Sequence, residues 1–466
     1  MGRPKRSRIS SLHKLPYVPF VVEEITETTT TTTADDFLSY IRIPDSGKAC
    51  PDNLVFYITQ NLCGANSEEQ LNNPTLPSGQ IGLDINGQAT GDYNGQSVSL
   101  NVNGSVLAVG AIYAGTNSEG QVRVYELSGS SWVQRGGDIN GTSSGGALGN
   151  SVSLSDDGSV VAMGAPYAYG SGVESGHTKI YAWSGSVWVQ RGDNINGSEL
   201  NANSGHSVSL NNNGNIVAIG APGAENVKIY EWSGSEWIQK GSDIDGFEVF
   251  ELFGHSVSLS DDGSVVAIGA PNYSGNEFSK GRTTVFEWSG SSWIQRGNDI
   301  VGEAAGDASG YYAGSVSLNN NGNIVAIGAY RNDGNGTDSG HVRVYEWSGS
   351  AWIQKGGDID GEAAGDNSGI SVSLDYFGDL LAIGASNNDG NGASSGHVRI
   401  YEWSGSAWVQ KGSDIDGEAA GDISGISVSL SRIGSRVAIG APANDGNGTS
   451  SGHVRVYQLS TTEVQL

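Results

Sequence analysis

Apolar and polar residues recur from about residue 90 to residue 460 in a fixed order of four short segments. Residues 370–415 show one copy clearly. ISVSL alternates apolar and polar positions, which is typical of a half-buried strand, whereas LLAIGA is a continuous apolar run, which is typical of a strand buried on both faces. HVRIYEW and WVQKGSDI follow, separated by the tight turn SGSA. The pattern predicts four short antiparallel strands in each copy.

Two short markers recur in step and give the number of copies. Ser-Val-Ser-Leu begins at seven positions, 49 to 59 residues apart: Ser97, Ser151, Ser207, Ser256, Ser315, Ser371 and Ser427. Asp-Ile-x-Gly, or a near variant, begins at Asp84, Asp138, Asp193, Asp243, Asp299, Asp358 and Asp414. Four-stranded units of this length are typical of propeller blades. We predict an all-β, seven-bladed β-propeller of four-stranded antiparallel blades over residues 78–466. A stacked solenoid is the less favoured alternative, because its repeats carry fewer strands.

The two ends of the repeat region differ from the other copies. Residues 78–87, SGQIGLDING, match the end of a fourth strand and its marker, but no blade precedes them. The last copy ends in YQLSTTEVQL and lacks both tryptophans of its equivalents. We therefore predict that residues 78–87 dock beside the last blade and close the ring.

The first 77 residues have a different composition. Residues 1–35 form a tail that begins with the basic segment GRPKRSR and continues into a threonine run, Thr26–Thr33. Residues 36–77 contain two apolar runs, FLSYIRI and LVFYITQ, that predict a small β-rich arm. Cys50 and Cys63 lie in this arm, and the sequence leaves open whether they are bonded. The segment lacks a recognisable signal peptide or membrane span. We expect the arm to anchor the propeller in an assembly or to mediate self-assembly.

Motifs within the copies resemble the FG-GAP repeats of integrin α-subunit propellers. Phe253-Gly254 precedes Ser256, and Gly-Ala-Pro begins at Gly164, Gly220, Gly269 and Gly440. Gly-His-Val-Arg-Val-Tyr begins at Gly340 and Gly452. The resemblance covers about residues 90–460 and implies a propeller that binds partners through its rim loops. It also implies calcium between strands one and two. Here those segments, such as 155–159 and 431–435, are short and lack alternating carboxylates, so we predict plain turns without metal or cofactor, with calcium as the alternative.

Acidic loops of the last three blades are the first candidate binding site. Loops between strands two and three should share one rim with loops that lead to the next blade, and loops on rigid scaffolds carry binding residues. The candidate residues are Glu303, Asp307, Asp333, Asn335, Glu362, Asp366, Asp389, Asn391, Glu418, Asp422, Asp445 and Asn447. Ordinary solvated turns are the favoured interpretation of these residues. A divalent ion between the two loops of one blade is a further one.

Paired tryptophans are the second candidate site. Trp-Ser-Gly-Ser-x-Trp places two rings on neighbouring strands across a tight turn. The pairs are Trp183 and Trp188, Trp232 and Trp237, Trp288 and Trp293, Trp347 and Trp352, and Trp403 and Trp408. They are candidates for stacking on glycans. The favoured interpretation is structural, because burial of each large ring stabilises the blade edge.

Six of the seven histidines follow the repeat. His177, His341, His397 and His453 open third strands, and His206 and His255 precede first strands. One histidine per blade predicts rings too far apart to share a metal. A hydrogen bond between loop and blade is the expected role.

Charge and motif content limit the function. The net charge of −26 disfavours nucleic acid as a partner of the propeller. The sequence has no zinc-protease motif or P-loop, and we do not expect an enzyme. We predict an adhesion or binding module, displayed extracellularly, for a protein or glycan. A structural component of a virion or appendage is the alternative, and a propeller-based enzyme is the least favoured one.

Overall fold

The computed structural model describes residues 54–57, 62–65, 79–275 and 279–459. Leu54–Tyr57 pairs antiparallel with Leu62–Ala65, with Leu54 opposite Ala65. This hairpin belongs to a different compact unit from the propeller. The predicted run LVFYITQ therefore contains a strand. The run FLSYIRI, the tail and Cys50 lie outside the described residues, and the side chain of Cys63 is not described.

Seven antiparallel sheets arranged as successive blades make up the larger unit, so the predicted seven-bladed propeller is confirmed. First strands are Asn94–Leu100, Ser151–Leu154, Ser207–Leu210, Ser256–Leu259, Val316–Leu318, Ser368–Leu374 and Ser427–Leu430. Second strands are Val106–Ala111, Val160–Ala165, Ile216–Ala221, Val265–Ala270, Ile324–Ala329, Leu380–Ala385 and Arg436–Ala441. Third strands are Gln121–Ser128, His177–Trp183, Asn226–Trp232, Arg282–Trp288, His341–Trp347, His397–Trp403 and His453–Gln458. Pro222–Ala224 forms a 3-10 turn. No helix in the described ranges is long and apolar enough to cross a membrane.

The fourth strand is broken into two pieces, which corrects the predicted single strand WVQKGSDI. Its first pieces are Ser131–Gln134, Trp188–Gln190, Trp237–Gln239, Trp293–Gln295, Trp352–Gln354 and Trp408–Gln410. Its second pieces are Ile139–Asn140, Ile195–Asn196, Ile244–Asp245, Ile300–Val301, Ile359–Asp360 and Ile415–Asp416. In blade 6, Trp408 lies opposite Trp403, and Ile415 lies opposite Val398 of the same third strand. Between the pieces Gly412 has φ of 80°, a left-handed conformation that interrupts the pairing.

Second strands form the core of each blade. Every residue of Leu380–Ala385 is buried, as the continuous apolar run predicted. The glycine in this strand is required by the next blade, because a Cβ on Gly384 would lie 2.0 Å from the carbonyl oxygen of Gly425. Neighbouring blades therefore pack backbone against backbone at this point.

The second serine of each Ser-Val-Ser-Leu joins one blade to the next. Its Oγ accepts a hydrogen bond from the backbone N–H of the leucine of the following blade, at 2.9 to 3.0 Å. The pairs are Ser99 with Leu154, Ser153 with Leu210, Ser209 with Leu259, Ser258 with Leu318, Ser317 with Leu374, Ser373 with Leu430, and Ser429 with Leu100. The motif thus marks a closed ring of contacts between inner strands.

Turns between strands one and two form a second ring. The backbone N–H of each turn donates to a carbonyl of the next turn, at 2.7 to 3.2 Å. The donors and acceptors are Val102 to Asp156, Asp156 to Asn212, Asn212 to Asp261, Asp261 to Asn320, Asn320 to Tyr376, Tyr376 to Arg432, and Ile433 to Val102. The segments between strands one and two are short turns, as predicted. The Arg432 guanidinium pairs with Asp156 at 2.9 Å and with Asp261, and so bridges three blades.

The start of the propeller completes its last blade, as predicted. Ile85–Asn86 pairs with the third strand of blade 7, with Ile85 opposite Val454. The Ile81 N–H donates to the Val456 carbonyl at 2.7 Å, and the Ile81 carbonyl accepts from Trp132 of blade 1. We call residues 79–87 the clasp, because they close the ring without a covalent bond between blades 7 and 1.

Candidate functional site: the loop face

The two predicted loop sets share one end of the propeller. Asn335 lies between strands two and three of blade 5, and its Nδ2 donates to the carbonyls of Gly361 and Glu362, at 2.9 Å each, in the loop that leads to blade 6. Asn391 and Asn447 make equivalent bonds in blades 6 and 7. We call this end the loop face and the opposite end, with its strand 1–2 and 3–4 turns, the turn face.

The candidate aspartates of these loops hold the loops in shape. Asp307, Asp366 and Asp422 are buried, with 2 to 3% of each residue exposed. The Asp307 carboxylate accepts from the N–H groups of Glu303 and Ala304. Asp333, Asp389 and Asp445 are exposed, and each accepts one backbone N–H five residues further on, at 2.8 Å. Only the second group of aspartates presents carboxylates to solvent.

The candidate glutamates face histidines. Glu303, Glu362 and Glu418 have side chains 43 to 45% exposed, and each lies beside a third-strand histidine that is 1% exposed. An aspartate of the Asp-Ile-x-Gly marker completes each group. The three His–carboxylate clusters are His341 with Glu303 and Asp358, His397 with Glu362 and Asp414, and His453 with Glu418 and Asp84.

Hydrogen bonding of these histidines differs from the expectation. Neither ring nitrogen of His397 or His453 has a hydrogen-bond partner among the described residues, so the predicted loop-to-blade bond is wrong for both. Burial lowers the pKa of His453 to about 4, with Arg455 adding to the effect. The ring is therefore neutral at neutral pH, although two carboxylates face it.

His206 and His255 correct the prediction of separated rings. Their ring centroids lie 4.0 Å apart, and the Tyr311 ring is 4.8 Å from His255. They precede first strands, where neighbouring blades approach most closely. Burial lowers the pKa of His206 to about 4. Tyr311 and Tyr312 precede the first strand of blade 5, within the longest spacing between markers.

A set of exposed apolar side chains, which was not predicted from the sequence, lies on the loops of blades 1 to 4. We call them the apolar arc, and its members are 43 to 83% exposed: Tyr113, Tyr167, Tyr169, Val173, Leu200, Phe247, Val249 and Phe250. A signal was present in the segment FEVFELF, which stands where the loops leading to blades 5 to 7 have the acidic sequence EAAGD.

The tryptophan pairs lie on the turn face, between blades. Paired centroids are 5.3 to 5.5 Å apart, as facing rings require. The Trp188 indole N–H donates to the Arg135 carbonyl of the preceding blade at 2.7 Å, and the Arg135 guanidinium lies 4.9 Å from the Trp183 centroid. The same arrangement recurs with Arg191, Lys240, Arg296 and Lys355. The pairs thus join blades, and glycan stacking stays a prediction.

Comparisons with known proteins support the fold alone. No family model matches the chain, and no curated protein matches it. Among solved structures it is similar to the β-propeller domain of Cps50 (Swd1) from Myceliophteria thermophila. That similarity has a TM-score of 0.53 and 11% identity, and it covers 81% of this chain and 100% of the other. The chain is a β-propeller repeat protein.

Proposed function

We propose that this chain is an FG-GAP-like, non-enzymatic binding module that holds a protein partner on its loop face. The apolar arc carries the proposal, because soluble monomers seldom expose contiguous apolar side chains without an interaction role. Members of the arc lie close together where blade 2 meets blade 3. Leu200 approaches Gly172, the residue before Val173, since a Cβ on Gly172 would lie 2.4 Å from Leu200 Cδ2. Phe247 continues the surface by packing over the Arg282 guanidinium, 4.4 Å from the ring centroid.

Backbone strain in the arc supports an interaction role. Phe250 is 83% exposed and has φ of 67°, in the left-handed region. Glycine stands at the equivalent positions Gly306, Gly365 and Gly421, with φ of 88 to 91°. A bulky residue in this conformation costs about 1–2 kcal/mol, and burial of Phe250 in this chain does not offset that cost. Contact with a partner is a role that would retain it.

Charge indicates the kind of partner. The net charge is −26, and Glu303, Glu362 and Glu418 expose carboxylates on the same face as the arc. A partner with an apolar anchor beside lysine or arginine matches both parts of this face. The alternative of a virion or appendage component depends on residues 1–77, most of which lie outside the described part of the chain.

Peptide selection tests the proposal without a known partner. A random peptide library displayed on phage would be selected on the immobilised full chain, and enriched peptides would be measured against a Phe247→Ser, Val249→Ser, Phe250→Ser variant. We expect apolar anchors flanked by basic residues and at least about ten-fold weaker binding to the variant, since each buried apolar side chain contributes about 1.5–3 kcal/mol.

A control variant changes three exposed apolar residues in or next to the fourth strands. Val187→Ser, Ile238→Ser and Val409→Ser alter side chains that are 52 to 53% exposed and lie away from the loop face. Equal binding to the arc variant and this control would reject the apolar arc as the binding surface. Glycan binding that is lost with Trp403→Ala and Trp408→Ala would instead favour a glycan ligand at the turn face.

A further inference from the structure

The three His–carboxylate clusters repeat one geometry where the chain enters blades 5, 6 and 7. In the third cluster, His453 Nδ1 lies 3.7 Å from Glu418 Oε2 and 3.8 Å from Asp84 Oδ2. In the second, His397 Nδ1 lies 3.9 Å from both Glu362 Oε2 and Asp414 Oδ2. In every cluster the three ligand atoms lie within 4.8 Å of one another.

These separations are too long for hydrogen bonds, whose N···O distances reach about 3.2 Å. His397 and His453 are each 1% exposed, and both ring nitrogens of each lack a hydrogen-bond partner among the described residues. A buried polar group without a partner costs about 1–3 kcal/mol. Each imidazole therefore directs an unpaired nitrogen toward two carboxylates without contacting either.

Ligands around a metal ion have a similar spacing. Donor atoms about 2.1 Å from a tetrahedral Zn²⁺ lie roughly 3.4 Å from one another. The histidine–carboxylate distances of 3.7 to 3.9 Å exceed this by a few tenths of an ångström, and the two carboxylate oxygens, which lie within 4.8 Å of each other, would have to approach by at most about 1.4 Å. In the second and third clusters the carboxylate side chains are 29 to 44% exposed, so an ion and a water ligand can enter from solvent.

Blade 4 shows what occupies the equivalent position when the histidine is replaced. Arg282 stands at the start of its third strand, and its guanidinium lies 3.1 Å from Asp299 and 2.9 Å from Glu251. Phe247 replaces the glutamate there. A side-chain cation thus sits between the carboxylates of blade 4, whereas blades 5 to 7 have an imidazole at that position.

We propose that each of the three His–carboxylate clusters binds a divalent transition-metal ion of the zinc class through histidine Nδ1 and one oxygen from each carboxylate. Imidazole with carboxylates suits zinc and its first-row neighbours, whereas calcium takes oxygen ligands. A nearby arginine neutralises part of the carboxylate charge: Arg455 Nη1 lies 3.8 Å from Glu418 Oε1. Because Asp84 belongs to the clasp, the third ion would link the two ends of the ring.

Metal content of the full chain tests the proposal. After chelation and removal of the chelator, protein would be dialysed against ZnCl₂ and its zinc measured by mass spectrometry. We expect His397→Ala to lower bound zinc by one equivalent relative to the unmodified chain, and His341→Ala with His397→Ala to lower it by two. Comparing the bound zinc of each variant with that of the unmodified chain cancels any zinc bound by Cys50, Cys63 or His13.

His177→Ala is the matched control, because His177 opens a third strand but Thr142 stands where the glutamate would be. This variant should bind as much zinc as the unmodified chain. Glu362→Gln guards against misfolding, since it changes an exposed side chain and should also remove one equivalent. Unchanged zinc in both His397→Ala and Glu362→Gln, or equal displacement of zinc by calcium, would overturn the proposal.

The third cluster gives an independent readout. Zinc should raise the melting temperature of the unmodified chain by linking the clasp to blade 7, because a ligand that binds only the folded state stabilises it. In a His341→Ala, His397→Ala variant only the third cluster remains, and adding Asp84→Asn to that variant should abolish its remaining shift. A zinc-dependent shift that is the same in Asp84→Asn and the unmodified chain would exclude an ion at the clasp.

Discussion

Replacing Ile85 by alanine should loosen the clasp selectively. Ile85 is 5% exposed and packs beside Val454 in the cluster between blades 7 and 1. Removing its three outer carbons at about 0.8 kcal/mol each costs about 2.4 kcal/mol, and an unfilled cavity raises this toward about 5 kcal/mol. No covalent link joins blades 7 and 1, so the whole loss of packing free energy should favour opening of the ring at this point. The smaller figure corresponds to an equilibrium constant for local opening that is about 60-fold larger.

Hydrogen exchange of the clasp amides measures this opening. The N–H groups of Ile81 and Gly87 donate to the carbonyls of Val456 and Gly452, so their exchange reports release of the clasp. Ile415→Ala is the matched change, because Ile415 is the same marker residue in blade 6 and is 4% exposed. The segment that contains Ile415 follows directly after the paired strand Trp408–Gln410. Amide exchange in residues 411–417 should therefore accelerate less than exchange in the clasp. Equal acceleration of amide exchange in both segments, or no acceleration in the clasp, would refute the view that the ring opens most easily at the clasp.

Three further substitutions test other contacts. Ser373→Ala removes one inter-blade hydrogen bond and should lower the free energy of unfolding by about 1–3 kcal/mol in urea, whereas Ser404→Ala in an exposed hairpin should change it little. Gly384→Ala should destabilise by about 1–3 kcal/mol or more through overpacking, while Gly357→Ala, whose Cβ would meet nothing within 4 Å, should be tolerated. Arg432→Met should lower the free energy of unfolding most at neutral pH. Burial raises the pKa of the Asp156 carboxyl group and Arg432 opposes that rise, so the substitution should raise this pKa further. An acid with a raised folded-state pKa favours folding as pH falls, so the deficit should shrink toward about pH 4; a deficit independent of pH would contradict this.

The fold could be predicted because its determinants repeat in the sequence. Alternation in ISVSL, the apolar run LLAIGA and the marker spacing specify strands, burial and blade number, and the unmatched segment 78–87 specifies ring closure. The two-piece fourth strand was missed because Gly412 reads as part of a polar stretch, whereas its left-handed backbone ends the pairing.

The site was less predictable because the repeat period does not show how far each residue lies from the propeller axis. His206 and His255 recur once per blade, yet their rings stack because they lie where blades converge. Asp307 and Asp333 are both loop aspartates in sequence, but one is buried under backbone N–H groups and the other is exposed. The clusters were missed because their carboxylates come from two separate loops, and for His453 one of them is supplied by Asp84 at the start of the propeller.

The clasp also fixes the order in which the chain can complete its structure. Residues 79–87 emerge early during synthesis, but their partner strand His453–Gln458 is made about 370 residues later, which takes roughly 20–75 s at 5–20 residues per second. During that interval blades can form one after another from local hairpins, while the final strand pairing waits. The last step therefore joins the most distant parts of the repeat region, and long-range pairing of this kind is slow. A ribosome-bound chain arrested before residue 453 should already contain folded blades with an unpaired clasp.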